Sequence, residues 1–227
     1  MSVASLHRYP VKSMLGETVR ELFVDDEGAS GDRRLALIDE ATGRVASAKQ
    51  ARLWRGLLKC SAIVDGGRVR ISLPDGTNVD ADEDGVDDVL SRLLARPVHL
   101  IDRRPQGAEV ERADPEQVLH FGVEAHVDAP LLELAQATPG NSFVDFAPLH
   151  AITTATLERI GVEAERYRPN LVITTPPGHP AYSENEWTGR TLVVGNVLLS
   201  ALGPTPRCVV PTLEHGQLDR APRALRT

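Results

Sequence analysis

Short apolar segments separated by turn residues recur along most of this chain, and they constrain its fold more than any other feature. Val69, Ile71 and Leu73 alternate with polar residues, which is the period-two pattern of a half-buried strand. Together with residues 59–64 and the Asp-Gly-Gly turn at 65–67, they predict a β-hairpin. Further predicted strands lie at 35–38, 45–48, 171–173, 191–194 and 197–199. Because many short strands accompany few helices, we predict a mainly β (α+β) fold of barrel-like or sandwich architecture.

Two helices are predicted. Apolar residues over 86–94 recur on one face with a period of 3.6, and Asp84 is the candidate N-cap of this helix. Pro97 is expected to stop it. A second helix is predicted to begin near Thr154 and to end at Gly161.

Three connections have distinct signatures. Thr42-Gly43 lies between the predicted strands 35–38 and 45–48 and predicts a hairpin turn. The polar stretch 102–117 contains prolines and a glycine and is interpreted as a linker or surface excursion. The proline-rich segment 174–185 predicts a stiff loop of the kind that often borders a site.

Composition and charge exclude several classes of protein. The 227 residues carry a net charge of −7 and only 4% aromatic residues, and the arginines are scattered, so a nucleic-acid-binding footprint is missing. A local anion site remains compatible with this charge. Neither a signal peptide nor a membrane-spanning run is visible, and with only two cysteines no disulfide framework is implied. We therefore expect reduced thiols and a cytoplasmic protein that does not contact membranes.

The Arg207-Cys208 pair is the main candidate for chemistry. A neighbouring guanidinium favours thiolate over thiol, and thiolate is both the nucleophile and the ligand of soft metals. The alternative is ordinary packing, since a free cysteine behaves as a small hydrophobic residue. Cys60 follows an apolar strand and is interpreted as structural.

The chain resembles proteins that contain a MOSC (molybdenum cofactor sulfurase C-terminal) domain, with the amidoxime-reducing component family as the nearest pattern. The motifs similar to the N-terminal β-barrel domain that precedes MOSC domains lie at 9–13, 31–34 and 48–50. The motifs similar to the MOSC domain itself lie at 168–173, 184–189 and 207–208. This resemblance implies an N-terminal β-barrel-like domain over 1–102 and a MOSC-type β-barrel with a few helices over 118–227, short at its C-terminus.

The resemblance also implies a cofactor and its site. The cofactor would be a molybdenum–molybdopterin group, with Cys208 as the metal ligand and Arg207 and Cys208 as the catalytic residues. The implied cofactor-binding residues are Lys12, Ser13, Arg33 with Arg34 as the register alternative, Thr153, Thr154, Arg168 and Asn170. A family-level association with pyridoxal phosphate binding belongs to the same resemblance.

Each implied site residue also has a plain structural interpretation. Lys12 and Ser13 can lie on a solvated loop, and Arg33 or Arg34 can pair with a nearby aspartate, which contributes only about 0–1 kcal/mol at a surface. Thr154 can simply be an N-cap. Trp187 is expected to be packing rather than a substrate contact.

Two departures from the family pattern leave the function open. Position 206 is proline where the closest reductases carry a small polar residue. The chain also stops soon after Cys208, with a polar tail over 217–227 that predicts little core and an open sheet edge, a site for homo-oligomer contacts.

Three functions follow as hypotheses. The first is the reduction of small N-hydroxylated compounds at molybdenum, with electrons from an external flavin or iron–sulfur reductase. The second is sulfur transfer through a Cys208 persulfide. The third is a non-catalytic protein that binds the molybdenum cofactor.

Overall fold

A computed structural model describes residues 1–225, and strands dominate it. The strands are β1 (Ser2–Arg8), β2 (Glu17–Val19), β3 (Val24–Asp25), β4 (Gly28–Ala29), β5 (Ala36–Asp39), β6 (Ser61–Asp65), β7 (Arg68–Ser72), β8 (Asn78–Asp80), β9 (Val98–Ile101), β10 (Glu109–Glu111), β11 (Leu131–Glu133), β12 (Ala151–Thr153), β13 (Leu171–Thr174), β14 (Thr191–Val194) and β15 (Val197–Ser200). The α-helices are α1 (Ala51–Trp54), α2 (Val86–Leu94), α3 (Pro115–Phe121) and α4 (Thr154–Ile160). Short 3₁₀ turns lie at Arg55–Lys59, Ala164–Tyr167, Ser183–Trp187, Val210–Thr212 and Pro222–Leu225.

The first strand joins the two halves of the chain. The largest sheet has the order β12-β13-β1-β2, so β1 lies between β2 of the N-terminal half and β13 of the C-terminal half. Leu6 is opposite Leu171 on one side and Val19 on the other. The predicted boundaries at 1–102 and 118–227 stay a prediction, and the two segments share this sheet.

The hairpin predicted from alternation is confirmed. β6 and β7 are antiparallel, Asp65 pairs with Arg68, and Gly66 and Gly67 form the turn with φ of 57° and 87°. Two successive residues with positive φ are the signature of a type I′ turn. Ile71 is fully buried in the N-terminal core, where it belongs to the same cluster as Leu57 and Leu90.

The hairpin predicted over 35–48 is wrong in its extent. Its turn forms, with the Gly43 N–H donating to the Asp39 carbonyl at 2.8 Å, but the ladder is reduced to one bridge between Ile38 and Val45. β5 pairs instead with β9, which comes much later in the chain. Local periodicity identified the strand but could not identify its partner.

Both predicted helices form, but the ends of one were predicted better than those of the other. α4 is confirmed: the Thr153 side chain accepts from the Thr156 N–H, and Gly161 ends the helix with φ 70°. In α2 the N-cap assignment to Asp84 is wrong, because the helix follows Gly85 in a left-handed conformation and no side chain caps it. The helix ends at Leu94, and its C-cap residue Ala95, which is also left-handed, precedes Pro97.

The linker or surface excursion predicted over 102–117 is wrong from residue 109 onward, whereas 102–108 has no helix or strand. This stretch contains β10, with Val110 fully buried, and the start of α3, where the Asp114 side chain accepts from the Gln117 N–H. Pro115 opens α3, because proline is well suited to the first helical position. Of the three loop signals in this stretch, Pro115 belongs to a helix start, while Pro105 and Gly107 lie in the loop before β10.

The polar tail over 217–227 also contributes more to the core than predicted. Ala224 is buried, and its carbonyl accepts from the Tyr167 hydroxyl at 2.7 Å. The last two residues of that predicted tail, Arg226 and Thr227, lie outside the described residues.

The mainly β (α+β) class is confirmed, whereas the predicted closed barrels are not seen in residues 1–225. The strands there form separate sheets of two to four strands. No helix in this range is long and apolar enough to span a membrane.

Candidate functional site

A cavity of about 1400 Å³ brings together seven of the predicted site residues. Those lining it are Lys12, Ser13, Arg33, Arg168, Asn170, Arg207 and Cys208. Three others lie outside its lining, namely Arg34, Thr153 and Thr154. The proline-rich loop borders the cavity through Tyr182, and the following 3₁₀ turn does so through Glu184 and Trp187.

Two arginines of the cavity enclose the ring of Tyr9. The guanidinium carbons of Arg33 and Arg168 lie 4.5 and 4.4 Å from the ring centroid, the geometry of cation–π contacts. Arg33 also donates to the Arg168 carbonyl at 3.0 Å and pairs with Asp32, while Arg168 donates to the Met14 carbonyl. Burial and the charge of Arg33 lower the pKa of Arg168 to about 10. The two guanidinium groups therefore form a wall that stays positively charged, because Asp32 offsets only one of them.

Asn170 holds two segments of this wall together. Its side-chain amide donates to the His7 carbonyl at 3.2 Å, and its Oδ1 accepts from the His150 N–H at 3.1 Å. It is 1% exposed, so these contacts replace its hydrogen bonds to water.

Lys12 is buried, which rules out the solvated-loop interpretation. Its ammonium donates to the Phe143 carbonyl at 2.7 Å and to Asp145 at 2.8 Å. Lys49 contacts the same Asp145 oxygen at 2.9 Å. Burial lowers the pKa of Lys12 to about 8, with repulsion from Lys49 adding to the effect. The two lysines hold the pKa of Asp145 well below its usual range, so two cations share one carboxylate.

Ser13 has a structural contact of its own. Its hydroxyl accepts from the Ala48 N–H at 3.0 Å, and its φ is 66°. This contact fixes the loop that presents Lys12.

The three residues outside the cavity have local partners. Arg34 is exposed, 3.9 Å from Glu27. Thr153 caps α4 and donates to Glu184 at 3.0 Å, while Thr154 lies 2.9 Å from the Thr175 hydroxyl. Their assignment to a cofactor stays a prediction, which these contacts do not support.

Arg207 and Cys208 are far from Lys12 in the sequence but line the same cavity. The guanidinium carbon of Arg207 lies 4.6 Å from the centroid of the Tyr167 ring. The backbone carbonyl of Arg207 accepts a hydrogen bond from the Arg112 guanidinium at 2.6 Å. Burial lowers the pKa of Arg207. Cys208 is half-buried, packed at the edge of an apolar cluster and open to the cavity. Cys60, by contrast, is fully buried, and burial raises the pKa of its thiol to about 11.

The part of the cavity around His150 has a positive electrostatic potential. His150, which lines it, has a pKa lowered to about 4 by burial and by the charges of Arg207 and Arg33. An anionic group with a soft metal fits this set of donors, which combines cations with an accessible thiol. Within residues 1–225 no group of three or more histidine, cysteine or acidic side chains could hold a metal ion. A metal on Cys208 would therefore need further ligands from the cofactor itself.

Two members of this site, Lys49 and Asp145, were missed as site residues. Lys49 lies in a motif already noted at 48–50, so its position beside Lys12 could have been suspected. Asp145 gave no local signal, since its pairing with Lys12 spans 133 residues.

A comparison with models of known protein families gives a match to the first part of the chain. Residues 1–97 match the family model of the MOSC N-terminal beta barrel domain. A search of curated proteins found no match.

Proposed function

Because residues 1–97 of this chain belong to the MOSC N-terminal beta barrel domain family, we propose that the cavity binds a molybdenum–molybdopterin cofactor and that the protein reduces N-hydroxylated compounds there. MOSC domains are associated with molybdenum-cofactor binding at the family level. The observation that carries the proposal is the position of Cys208, which opens onto a cavity lined with cations from both halves of the chain.

The proposed roles follow from the chemistry of each side chain. Cys208 is the metal ligand, since thiolate suits a soft metal. Arg33 and Arg168 are held against Tyr9 and can donate to ring nitrogens and carbonyls of the pterin. Lys12 and Lys49 together carry one positive charge more than Asp145 neutralises, and they can bind a phosphate.

The molybdenum, when bound, supplies two-electron chemistry with transfer of an oxygen atom. The overall reaction takes R–NHOH, two electrons and two protons to R–NH₂ and water. The electrons come from an external flavin or iron–sulfur reductase. The chain itself contributes charge: Arg207 carries a positive charge next to Cys208, and partial burial of this pair weakens screening by water.

Molybdenum analysis of purified protein tests the proposal. We expect wild-type protein to carry molybdenum and Cys208→Ser to lose it, whereas Cys60→Ala, which changes the buried structural thiol, keeps it. With a chemical or enzymatic electron donor, the wild type should reduce a hydroxylamine or an amidoxime. Wild-type protein from a molybdenum-replete host that holds no metal would end the proposal.

The same samples distinguish the two alternatives. Mass spectrometry that finds a thiol-labile addition of one sulfur on Cys208, without metal, indicates a sulfur carrier. Bound cofactor without turnover on N-hydroxylated compounds indicates a binding protein.

A further inference from the structure

Arg207 differs from the other cations of the cavity in what its charged end contacts. Arg33, Arg112, Arg166 and Arg168 each donate to at least one carboxylate or carbonyl oxygen. Lys12 and Lys49 share Asp145. Among residues 1–225, no acceptor or carboxylate lies within hydrogen-bond or ion-pair distance of the Arg207 guanidinium, which rests on the Tyr167 ring.

This arrangement leaves the donors of Arg207 available. A cation stacked on an aromatic face keeps its N–H groups in the guanidinium plane, where a planar oxyanion can accept two of them. A guanidinium that is partly withdrawn from water gains more from such an acceptor than an exposed one does. Glu184, the carboxylate whose charge acts on Arg207, already accepts hydrogen bonds from Thr153 and Thr156.

Another part of the lining of the same cavity is apolar. β14 and β15 pair with each other, and Leu192 and Leu199, which are opposite each other in the ladder, both line the cavity. A ligand that meets both features has an oxyanion at one end and an apolar body.

We infer that the substrate of this site is a small organic anion, whose carboxylate or equivalent oxyanion is bound by Arg207 beside Cys208 and whose apolar body lies against Leu192 and Leu199. That this anion is a substrate rests on the proposed function. The binding of an anion by Arg207 does not depend on bound metal.

Calorimetric titration of the full chain as purified, with benzoate and its neutral isostere benzamide, tests the inference. We expect benzoate to bind at least about tenfold more tightly than benzamide, the effect of one charge-assisted interaction. Arg207→Gln should reduce this preference to about twofold or less, and Arg207→Lys should give an intermediate value because a lysine lacks the planar fork. Arg34→Gln, at an exposed arginine outside the cavity lining, is the matched control and should keep the full preference.

The outcomes separate this inference from the proposed function. Equal affinity for the two probes, no binding of benzoate, or an unchanged preference in folded Arg207→Gln overturns the inference. Circular dichroism and urea unfolding establish that the variant is folded, and Arg207→Lys provides a second reading if it is not. Molybdenum content measured on the same samples reports the proposed function independently, because preference for benzoate in metal-free wild type supports the anion site alone.

Discussion

At the scale of single residues, burial of ionisable groups has clear consequences for stability. His215 is 2% exposed, and its Nδ1 donates to the Leu213 carbonyl at 3.1 Å. Its Nε2 has no hydrogen-bond partner within residues 1–225. Burial lowers the pKa of His215 to about 4 from its ordinary value of 6.5. Folding therefore favours the neutral ring.

The sign of the pH dependence follows from this shift. Above pH 6.5 the ring is neutral in both states and its contribution is complete. As the pH falls toward 4, the unfolded chain takes up a proton that the folded chain refuses, so the free energy of unfolding decreases.

We predict that His215→Asn flattens this dependence. Asparagine keeps a donor for the Leu213 carbonyl but does not titrate. Between pH 7 and pH 4.5 the variant should therefore lose less unfolding free energy than wild type, by on the order of 2 kcal/mol. Urea unfolding at both pH values measures the difference. The exposed His120→Asn variant is the control and should behave as wild type. An identical loss in His215→Asn would contradict the assignment.

At the scale of elements, the C-terminal half depends on one carboxylate that ties a turn to a helix. Glu184 of the Ser183–Trp187 turn accepts from the Thr153 N–H at 3.2 Å, from the Thr153 hydroxyl at 3.0 Å and from the Thr156 hydroxyl at 2.9 Å. The start of α4 and the edge of the cavity are therefore joined.

Glu184→Ala is expected to release the turn. Removal leaves buried donors of Thr153 and Thr156 with fewer acceptors, which should cost about 2 kcal/mol of unfolding free energy. Hydrogen exchange should accelerate over 183–187. Glu186→Ala changes an exposed carboxylate of the same turn and should stay within about 0.5 kcal/mol of wild type. Similar exchange rates in the two variants would refute the role of Glu184.

The sequence predicts elements better than it predicts their partners. The alternation of Val69 and Ile71 and the caps of α4 are local signals, and both elements were found. The pairing of β5 with β9 depends on contacts between distant segments, so no local pattern encodes it. Pro115 was ambiguous, because proline both interrupts helices and opens them.

The site shows the same limit. Lys12, Arg33 and Cys208 came from short motifs with a family resemblance, and the cavity brings them together. Asp145 is one of 32 acidic residues, and only the folded chain reveals that it pairs with two lysines.

At the scale of the whole molecule, the two halves are mechanically continuous. β1 lies between β2 and β13. One apolar cluster also combines Ala48 and Leu58 of the first half with Val209 and Leu213 of the second. Cooperative units form where such contacts are dense, so the halves should unfold together.

The two tryptophans test this cooperativity. Trp54 is buried in the N-terminal core, and Trp187 lies in the C-terminal half. In Trp187→Phe and Trp54→Phe, the remaining tryptophan reports on one half, and we expect each fluorescence transition in urea to coincide with the circular dichroism transition of the same variant. Two midpoints separated within either variant would show that the halves unfold independently.

The β14–β15 hairpin forms one wall of the cavity while hydrogen-bonding only within its own ladder in the described sheets. Its tip at Gly195-Asn196 can thus be lengthened, shortened or exchanged without altering the register of any other strand. Ligand specificity of this cavity could therefore be redesigned by grafting a different hairpin, while the other sheets are left unchanged.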